Sequence, residues 1–367
     1  MGLGTTKTDC PFYPFRKRME PFPWERTGPG QDVLGFPKFD LTRFNRAYFD
    51  RMRARVMAAG ERGLAVSVML FEGWCVQFVP DATSHPFFAH NNINGISYGH
   101  DAKSIHTLTH SSITAVQEAY VRMIIDTVND LDNVLYEIAN ESGPYSTEWQ
   151  YHMIDLVKKY ELRKPKQHLV GMSHQHAGGT FETMRQSRAD WISPGADVAQ
   201  IYQADPPPAD GSKLLVADTD HLGASGSGDR LWVWKSFCRG LHTLCMDRYV
   251  APDSVTDKPY EKAEEIRCAM GQAVLFSQRM DLRKAKPRSD LASTRFCLAD
   301  PGKEYLVYLP EGGKVQVDLS GTTGHLHVEW SDPVTGKSVT AKDIAGGKMQ
   351  VFNSPFSRDA VLYLVAG

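Results

Sequence analysis

Two acidic positions in the sequence have the residue types needed for acid–base chemistry. Asn140 and Glu141 close the apolar run VLYEIAN-E and are followed at once by the turn residues SGPYS. A carboxyl group at the mouth of a strand, beside an amide that can hydrogen-bond a hydroxyl group, suits a general acid that protonates a leaving oxygen. The alternative is a glutamate that caps a helix or pairs with solvent. We predict that Glu141 is catalytic and that Asn140 contacts the substrate.

The second acidic position is the pair Asp218 and Asp220 in the segment KLLVADTDHLG. Residues two apart on a strand point to the same face, so both carboxylates could face one site. Two neighbouring acids also raise each other's proton affinity. The alternative is an Asx turn that closes the strand. We predict that one of the two aspartates is the second catalytic carboxylate.

Further candidates for substrate binding lie beside the ends of other apolar runs: Glu72, Trp74, His90, Asn91, Asn92, His174, His176, Tyr202 and Trp234. The two tryptophans could stack on the flat face of a ligand or pack in the core. The segment 90–92 could hydrogen-bond a ligand or fill a loop. The two histidines at 174 and 176, with an aspartate, suggest a metal hydrolase as a weaker alternative. No third ligand motif accompanies them, so we predict no metal and no cofactor.

The elements that must position these residues alternate up to about residue 284. Helical periodicity predicts helices over 44–63, 111–130, 146–163 and 258–280. Short apolar runs predict strands over 63–70, 134–140, 168–173, 190–193, 198–203 and 213–218, with Trp232 and Trp234 on or beside the last strand. This alternation predicts an α/β fold with a mainly parallel sheet, most simply a TIM-type (β/α) barrel with its chemistry at the carboxyl ends of the strands. A doubly wound open sheet is the competitor, but no glycine-rich nucleotide motif follows any strand.

The predicted barrel is incomplete at its N-terminus. Residues 1–40 are rich in proline and contain no convincing strand, so we expect one long loop where two barrel strands should be, or a chain whose true start is missing. Open sheet edges favour unwanted pairing unless something covers them. We therefore expect the N-terminal loop or another subunit to cover the edges, which predicts a homo-oligomer.

From about residue 289 the pattern changes to short strands at roughly ten-residue intervals, separated by turns such as PGK, EGG and AGGK. This spacing predicts an antiparallel β-sandwich. The basic, proline-containing stretch 283–290 marks the boundary. We predict a barrel domain over 1–284 and a sandwich domain over 289–367.

The composition excludes several classes of function. The 367 residues carry 41 Lys and Arg against 43 Asp and Glu, a net charge of −2, so no basic excess supports nucleic-acid binding. No apolar stretch approaches the ~20 residues that span a membrane, and we expect no secretion signal in the first residues. The six scattered cysteines include no CxxC pair and are predicted to be free thiols, and the compartment stays open.

The segments LFEGW, HNNINGI, YEIANES, VADTDHLG and WVWKSFCRG, in this order, resemble clan A glycoside hydrolases. The resemblance covers about residues 20–367 and is to a cellulase-like barrel group that carries a C-terminal sandwich named for collagen binding. It implies that Glu141 is the acid/base at the end of the fourth barrel strand and that Asp218 stands where the nucleophile, usually glutamate, closes the seventh. The implied activity is retaining hydrolysis of β-linked poly- or oligosaccharides. The alternative is a non-catalytic carbohydrate-binding protein on a degenerate barrel.

Overall fold

A computed structural model describes residues 20–78, 83–222, 228–246 and 263–367. The chain separates into two compact units, one that extends to Ile192 and one that runs from Ser193 to the C-terminus. None of the helices in the described ranges combines the length and the apolar character that a membrane span requires.

The first unit begins with a hairpin and continues with parallel strands and helices. Its elements are β1 (Trp24–Gln31), β2 (Pro37–Phe44), α1 (Arg46–Gly60), β3 (Val66–Glu72), α2 (Trp74–Phe78), α3 (Ser111–Val128), β4 (Val134–Asn140), α4 (Thr147–Glu161), β5 (Val170–Ser173), α5 (Phe181–Gln186) and β6 (Trp191–Ser193). The parallel strands lie in the order β3-β4-β5-β6, which is also their order along the chain. Strands in chain order, separated by helices, are the arrangement of a β/α barrel.

The hairpin β1–β2 contradicts the prediction of one long loop over residues 1–40. Its strands are antiparallel, with a register irregularity between Arg26 and Gln31. That irregularity contains Pro29, and proline is tolerated at bulges and on edge strands because no ladder bond needs its missing N–H group. Arg26 holds the turn through Asp32, with Nη1 2.8 Å from Oδ2. The proline-rich sequence of this segment is therefore compatible with two strands.

Strand β4 lies between β3 and β5, and all seven of its residues are at least partly buried. This burial explains the continuous apolar sequence VLYEIAN, as expected for a central parallel strand. Strand β3 is an edge of the sheet, and its residues Ser67 and Met69 are exposed. Helix α3 buries one face against the unit's core, including Ile113, Val121 and Ile125.

The second unit contains the remaining parallel strands and the antiparallel sheets. Its elements are α6 (Ala199–Ala204), β7 (Leu214–Asp218), α7 (Arg230–Cys238), β8 (His242–Leu244), α8 (Ala263–Arg279), β9 (Lys286–Pro287), β10 (Cys297–Asp300), β11 (Glu304–Leu309), β12 (Lys314–Asp318), β13 (His325–Ser331), β14 (Ser338–Ala345), β15 (Met349–Asn353) and β16 (Ala360–Ala366). Strand β7 pairs in parallel with β8. The protein is thus α/β with parallel strands followed by antiparallel sheets, consistent with an incomplete barrel and a sandwich.

The antiparallel sheets are ordered β14-β13-β16-β11-β10-β9 and β12-β15. Alternate residues of these strands, such as Val315, Val317, Leu326 and Val328, form one apolar core. The strand positions follow the predicted ten-residue repeat. The division of domains between residues 284 and 289 stays a prediction.

Helices α7 and α8 also pack on this part of the second unit. The Trp234 ring lies 5.8 Å from the Phe276 ring and is stacked at 6.0 Å on Tyr308 of β11. Its Nε1 donates to the main-chain oxygen of Pro333. The structure therefore corrects two sequence predictions: residues 199–204 form a helix instead of a strand, and Trp232 and Trp234 lie on helix α7.

One cysteine departs from the prediction of free thiols. Cys75, fully buried in α2, is disulfide-bonded. Cys238, Cys245, Cys268 and Cys297 are free, and Cys10 lies outside the described residues.

Candidate functional site

The carboxyl end of β4 holds Glu141 in an unusual backbone conformation. Its φ angle is +47°, in the left-handed region that side-chain-bearing residues rarely adopt. The main-chain oxygen of Glu141 accepts a hydrogen bond of 2.7 Å from Nε2 of Gln77 on α2. The side chain is 14% exposed. Strained conformations of this kind are kept where the surrounding structure holds them, and they cluster at functional sites.

Gly73 permits the close approach of the ends of β3 and β4. Its N–H group donates to the main-chain oxygen of Asn140 at 2.8 Å. A Cβ atom at position 73 would lie 2.5 Å from that oxygen and 2.5 Å from Cα of Ser142. Any side chain here would push apart the segments that flank Glu141, which explains the glycine in LFEGW.

Asn140 and Glu72 are joined by hydrogen bonds. Nδ2 of Asn140 lies 3.2 and 3.4 Å from the two carboxylate oxygens of Glu72, and the N–H group of Cys75 reaches the same carboxylate at 3.4 Å. Burial raises the pKa of Glu72, while hydrogen bonds from Asn140 and from the main chain at Cys75 and Trp74 act in the opposite direction. These contacts fix the Asn140 amide next to the acid.

His176 contacts both the acid and two aromatic rings. Its Nδ1 is 4.0 Å from Oε1 of Glu141. Its ring lies 4.8 Å from that of Trp74 and 5.3 Å from that of Phe78. Burial lowers the pKa of His176, which favours a neutral imidazole. Sequence analysis selected Trp74 and His176 but missed Phe78, which ends α2 and lies one helical turn beyond Trp74.

A buried layer supports the segment after the acid. Nδ1 of His106 and Oγ of Ser142 are 3.1 Å apart, and the His106 ring stacks on Trp149 at 4.3 Å. Burial lowers the pKa of His106 to about 3, so the imidazole is neutral. Trp149 in turn donates to Oε1 of Gln117 at 2.9 Å. Sequence analysis missed this layer because its members come from distant segments with no shared motif.

Two predicted ligand contacts have structural partners instead. Asn91 accepts from the N–H group of Val33 and donates to the main-chain oxygens of Thr83 and His85. Asn92 donates to three main-chain oxygens of its own loop and accepts from two N–H groups. Both amides are buried, so the structure contradicts the prediction that they bind substrate and supports the loop-bracing alternative.

The other two histidines of the predicted site differ in exposure. His90 is exposed, while His174 is buried beyond the end of β5. Their proposed contacts with substrate stay predictions, as does the weaker metal alternative for His174 and His176.

In the second unit, Asp218 is the last residue of β7. Its Oδ1 accepts the N–H group of Asp220 at 2.9 Å, which is an Asx turn. The predicted shared strand face is therefore wrong, because the strand ends before Asp220. Oδ2 of Asp218 is 4.0 Å from Nδ1 of His221, which is 2.8 Å from Oγ of Ser193. Burial raises the pKa of Asp218 to about 6, opposed by the Asp220 N–H bond.

Tyr202 and Trp234 do not present surfaces for a ligand. Tyr202 on α6 is 3% exposed and Trp234 on α7 is fully buried. The structure supports core packing at Trp234 and contradicts the prediction of a stacking platform there. The first unit thus brings together Glu141, Asn140, Glu72, Trp74 and His176, and the second unit brings together Asp218, Asp220 and His221.

Two family models match parts of the sequence. Residues 9–178 match a family described as a domain of unknown function (DUF6298), and residues 288–365 match a family described as "Putative collagen-binding domain of a collagenase". A search of curated proteins found no relative of this sequence.

Solved structures show a similar fold. A glycoside hydrolase family 5 protein from Bacteroides vulgatus ATCC 8482 has 15% identity and a TM-score of 0.59, over 87% of this chain and 74% of its own. A second structure, titled glycoside hydrolase, has 13% identity and a TM-score of 0.57, over 92% of this chain and 83% of its own. At such identities the likeness concerns the fold, so the chain has a fold like that of glycoside hydrolases.

Proposed function

We propose that the protein is a glycoside hydrolase that cleaves β-linked glycans by a retaining, two-carboxylate mechanism. The observation that carries the proposal is Glu141 at the carboxyl end of β4, where its main chain is fixed by Gln77 and its carboxylate lies 4.0 Å from His176, whose ring packs against that of Trp74. The glycoside hydrolase-like fold supports the same reaction class. Two carboxyl groups of different environment are what such hydrolysis requires.

In the proposed reaction, Glu141 donates its proton to the glycosidic oxygen as the bond from that oxygen to the anomeric carbon breaks. The carboxylate of Asp218 attacks the anomeric carbon and forms a glycosyl ester. Glu141, now ionised, removes a proton from water, whose oxygen displaces Asp218 and restores both groups. We assign the nucleophile to Asp218 because it ends β7, whereas Asp220 lies in the turn beyond it.

The test of Glu141 is a hydrolysis screen of wild type and Glu141→Gln on a panel of natural glycans and activated aryl glycosides. An amide cannot donate the proton, so we expect loss of turnover on natural glycans and partial activity on aryl glycosides, whose leaving groups need no acid. Full activity of the variant on a natural glycan would overturn the assignment.

Asp218 is tested by Asp218→Asn, with Asp220→Asn as the matched control. Loss of a covalent nucleophile is expected to lower kcat/KM by about 10⁴-fold. Asp220→Asn keeps the main-chain N–H group that donates to Asp218, and its kcat/KM is expected to fall less than tenfold. Added azide should partly restore activity to Asp218→Asn and give an α-glycosyl azide from a β-glycoside. If Asp220→Asn lowers kcat/KM more than Asp218→Asn does, the nucleophile is Asp220.

Non-catalytic carbohydrate binding is the second candidate. Three properties of Asp218 favour it. The side chain is shorter than that of glutamate, it is mostly buried, and it accepts a hydrogen bond from the main-chain N–H group of Asp220. Saccharide binding without release of any reducing sugar, across a broad glycan panel, would favour this candidate over the enzyme.

We also propose that a second copy of the chain covers the exposed edge strand β3, since Met69 on it is 43% exposed. Light scattering tests this point: a mass of one chain at high concentration would contradict it.

A further inference from the structure

We propose that Ser193 and His221 are positioning residues that keep one oxygen of the Asp218 carboxylate free to attack the anomeric carbon. The inference rests on the proposed function and deepens it, because it gives the two oxygens of the nucleophile separate tasks. The residues that build this arrangement all belong to the second unit, which begins at Ser193.

The two carboxylate oxygens of Asp218 have different neighbours. Oδ1 accepts the main-chain N–H group of Asp220 at 2.9 Å. Oδ2 lies 4.0 Å from Nδ1 of His221, a distance too long for a hydrogen bond. A hydrogen bond to a carboxylate oxygen stabilises its negative charge and so makes that oxygen a weaker nucleophile. Oδ2 is therefore the oxygen better suited to attack.

A hydrogen bond to Ser193 fixes the ring of His221 beside Oδ2. Oγ of Ser193, the last residue of β6, is 2.8 Å from Nδ1 of His221, and both side chains are buried. His221 lies in the turn after β7, where the main-chain oxygen of Asp218 accepts the N–H group of Leu222 at 3.0 Å. Because a hydroxyl group can both donate and accept, the pair can persist in either tautomer of the imidazole. Nδ1 is thus paired with Ser193 and not with the nucleophile.

The charge of His221 matters for the same reason. Burial lowers the pKa of His221, opposed by the nearby charge of Asp220, so the neutral imidazole is favoured. Its titratable neighbours in the described part of the second unit are Asp218 and Asp220. A neutral ring held by Ser193 forms no ion pair with Asp218, and the electron pair of Oδ2 stays available.

These contacts give each oxygen a task in the proposed reaction, with the proton transfers at Glu141 as described above. Oδ2 forms the bond to the anomeric carbon as the glycosidic bond breaks, and Oδ1 becomes the carbonyl oxygen of the glycosyl ester. In the second step the oxygen of water bonds to the anomeric carbon, the bond to Oδ2 breaks, and its electron pair returns to the carboxylate. The Asp220 N–H group at Oδ1 stabilises the charge that develops there.

The first test is Ser193→Ala, which frees Nδ1 of His221 to donate to Oδ2. The new hydrogen bond should lower the pKa of Asp218, so the acidic limb of kcat/KM on an activated aryl glycoside should move down by about one pH unit. The level of kcat/KM above that limb should fall about tenfold, because the attacking oxygen now accepts a hydrogen bond.

The matched control is Ser236→Ala. Ser236 is fully buried on α7, and its Oγ has no hydrogen-bond partner in the part of the chain that the structure describes. The same substitution at the same depth should leave both the acidic limb and the level of kcat/KM unchanged.

A double variant shows whether His221 causes the shift. Leucine cannot donate a hydrogen bond, so Ser193→Ala combined with His221→Leu should return the acidic limb to its wild-type position. His221→Asn, whose amide lies near the position of Nδ1, should keep the limb and lose less than about threefold in kcat/KM. An unmoved limb in Ser193→Ala, or a shift that persists in the double variant, would overturn the proposal. If Ser193→Ala does not fold, Ser193→Cys has a weaker hydrogen-bonding group of similar size, and its limb should move in the same direction.

A measurement without substrate separates this inference from the proposed function. NMR of isotope-labelled aspartate follows the titration of Asp218, whose signal is assigned by its loss in Asp218→Asn. The midpoint should be lower in Ser193→Ala than in wild type and should be restored in the double variant. If these shifts occur but the wild type hydrolyses no glycan, the proposed function fails and the control of Asp218 by the Ser193–His221 pair stands. Equal midpoints in all three proteins contradict the inference whether or not the protein is an enzyme.

Discussion

The two proposed catalytic carboxylates are almost equally exposed but are held in different ways. The side chain of Glu141 is 14% exposed and that of Asp218 is 15% exposed. Glu141 has a left-handed backbone fixed from α2, and its surroundings include aromatic rings. Asp218 ends a regular strand and accepts a main-chain N–H group two residues later.

The two carboxyl groups therefore differ in what their surroundings control: the position of Glu141 and the charge of Asp218. At Glu141 the neighbours fix the path of the main chain, so we expect changes there to act through geometry. At Asp218 burial is the dominant influence on the carboxyl group and raises its pKa to about 6. Changes at Asp218 should therefore alter the pH dependence of activity and of stability.

After the loss expected for Asp218→Asn, the largest expected effect on activity is that of Gly73→Ala, which tests whether the main-chain geometry around Glu141 controls activity. The new Cβ would lie 2.5 Å from the Asn140 oxygen and from Cα of Ser142, so the ends of β3 and β4 must separate. A displacement of about 1 Å at a catalytic group costs about 10²-fold in kcat/KM. The control is Gly271→Ala in the exposed interior of α8, where nothing lies within 4 Å; it should gain about 0.5–1 kcal/mol of stability and keep full activity. Normal activity in Gly73→Ala would contradict the geometric argument.

The pH profile of kcat/KM tests the electrostatic side. A nucleophile must be ionised, so kcat/KM for an activated substrate whose leaving group needs no proton from Glu141 should be level above the Asp218 pKa of about 6 and fall about tenfold per pH unit below it. The measurement is kcat/KM on a soluble aryl glycoside between pH 4 and 8. An acidic limb near pH 4 would show that Asp218 is not the group whose ionisation limits activity.

The same pKa predicts that Asp218→Asn stabilises the protein while it removes activity. The folded pKa of about 6 exceeds the unfolded value of 3.8, so stability from proton binding is present below pH 4 and is lost as pH rises through 6. At pH 7 the wild type buries a charge that asparagine lacks, and the variant should be about 1–2 kcal/mol more stable in urea unfolding. The gain should vanish near pH 4; a gain independent of pH would have another cause.

The smallest expected change in stability is that of Trp74→Phe in the first unit, which is compared with Trp234→Phe in the second unit. Trp234→Phe loses the hydrogen bond to the Pro333 oxygen and part of a fully buried ring, and should cost about 1–2 kcal/mol of stability without changing KM. Trp74→Phe should change stability by less than about 0.5 kcal/mol and alter KM. Urea unfolding and steady-state kinetics on both variants are the measurements, and a KM effect at Trp234 would place it near substrate.

The sandwich strands and the helices α3 and α4 could be predicted from the sequence because their patterns are local. Alternation with turns every ten residues, or an apolar stripe at helical spacing, is a property of one short segment. The same local patterns gave wrong predictions for two other segments. Pro29 hid the hairpin β1–β2, and the aromatic content of LWVWKSFC suggested a strand where Asp229 caps helix α7 through the N–H group of Trp232.

For the site, the sequence by itself determined which acids end strands: Glu141 and Asp218 stand directly after apolar runs, and strand ends are readable locally. Only the tertiary structure decided what surrounds them. That Asn92 braces its own loop, that Trp234 is buried and that Phe78 joins His176 depend on contacts between distant segments. Such contacts are set by packing of the whole unit, which no short sequence pattern encodes.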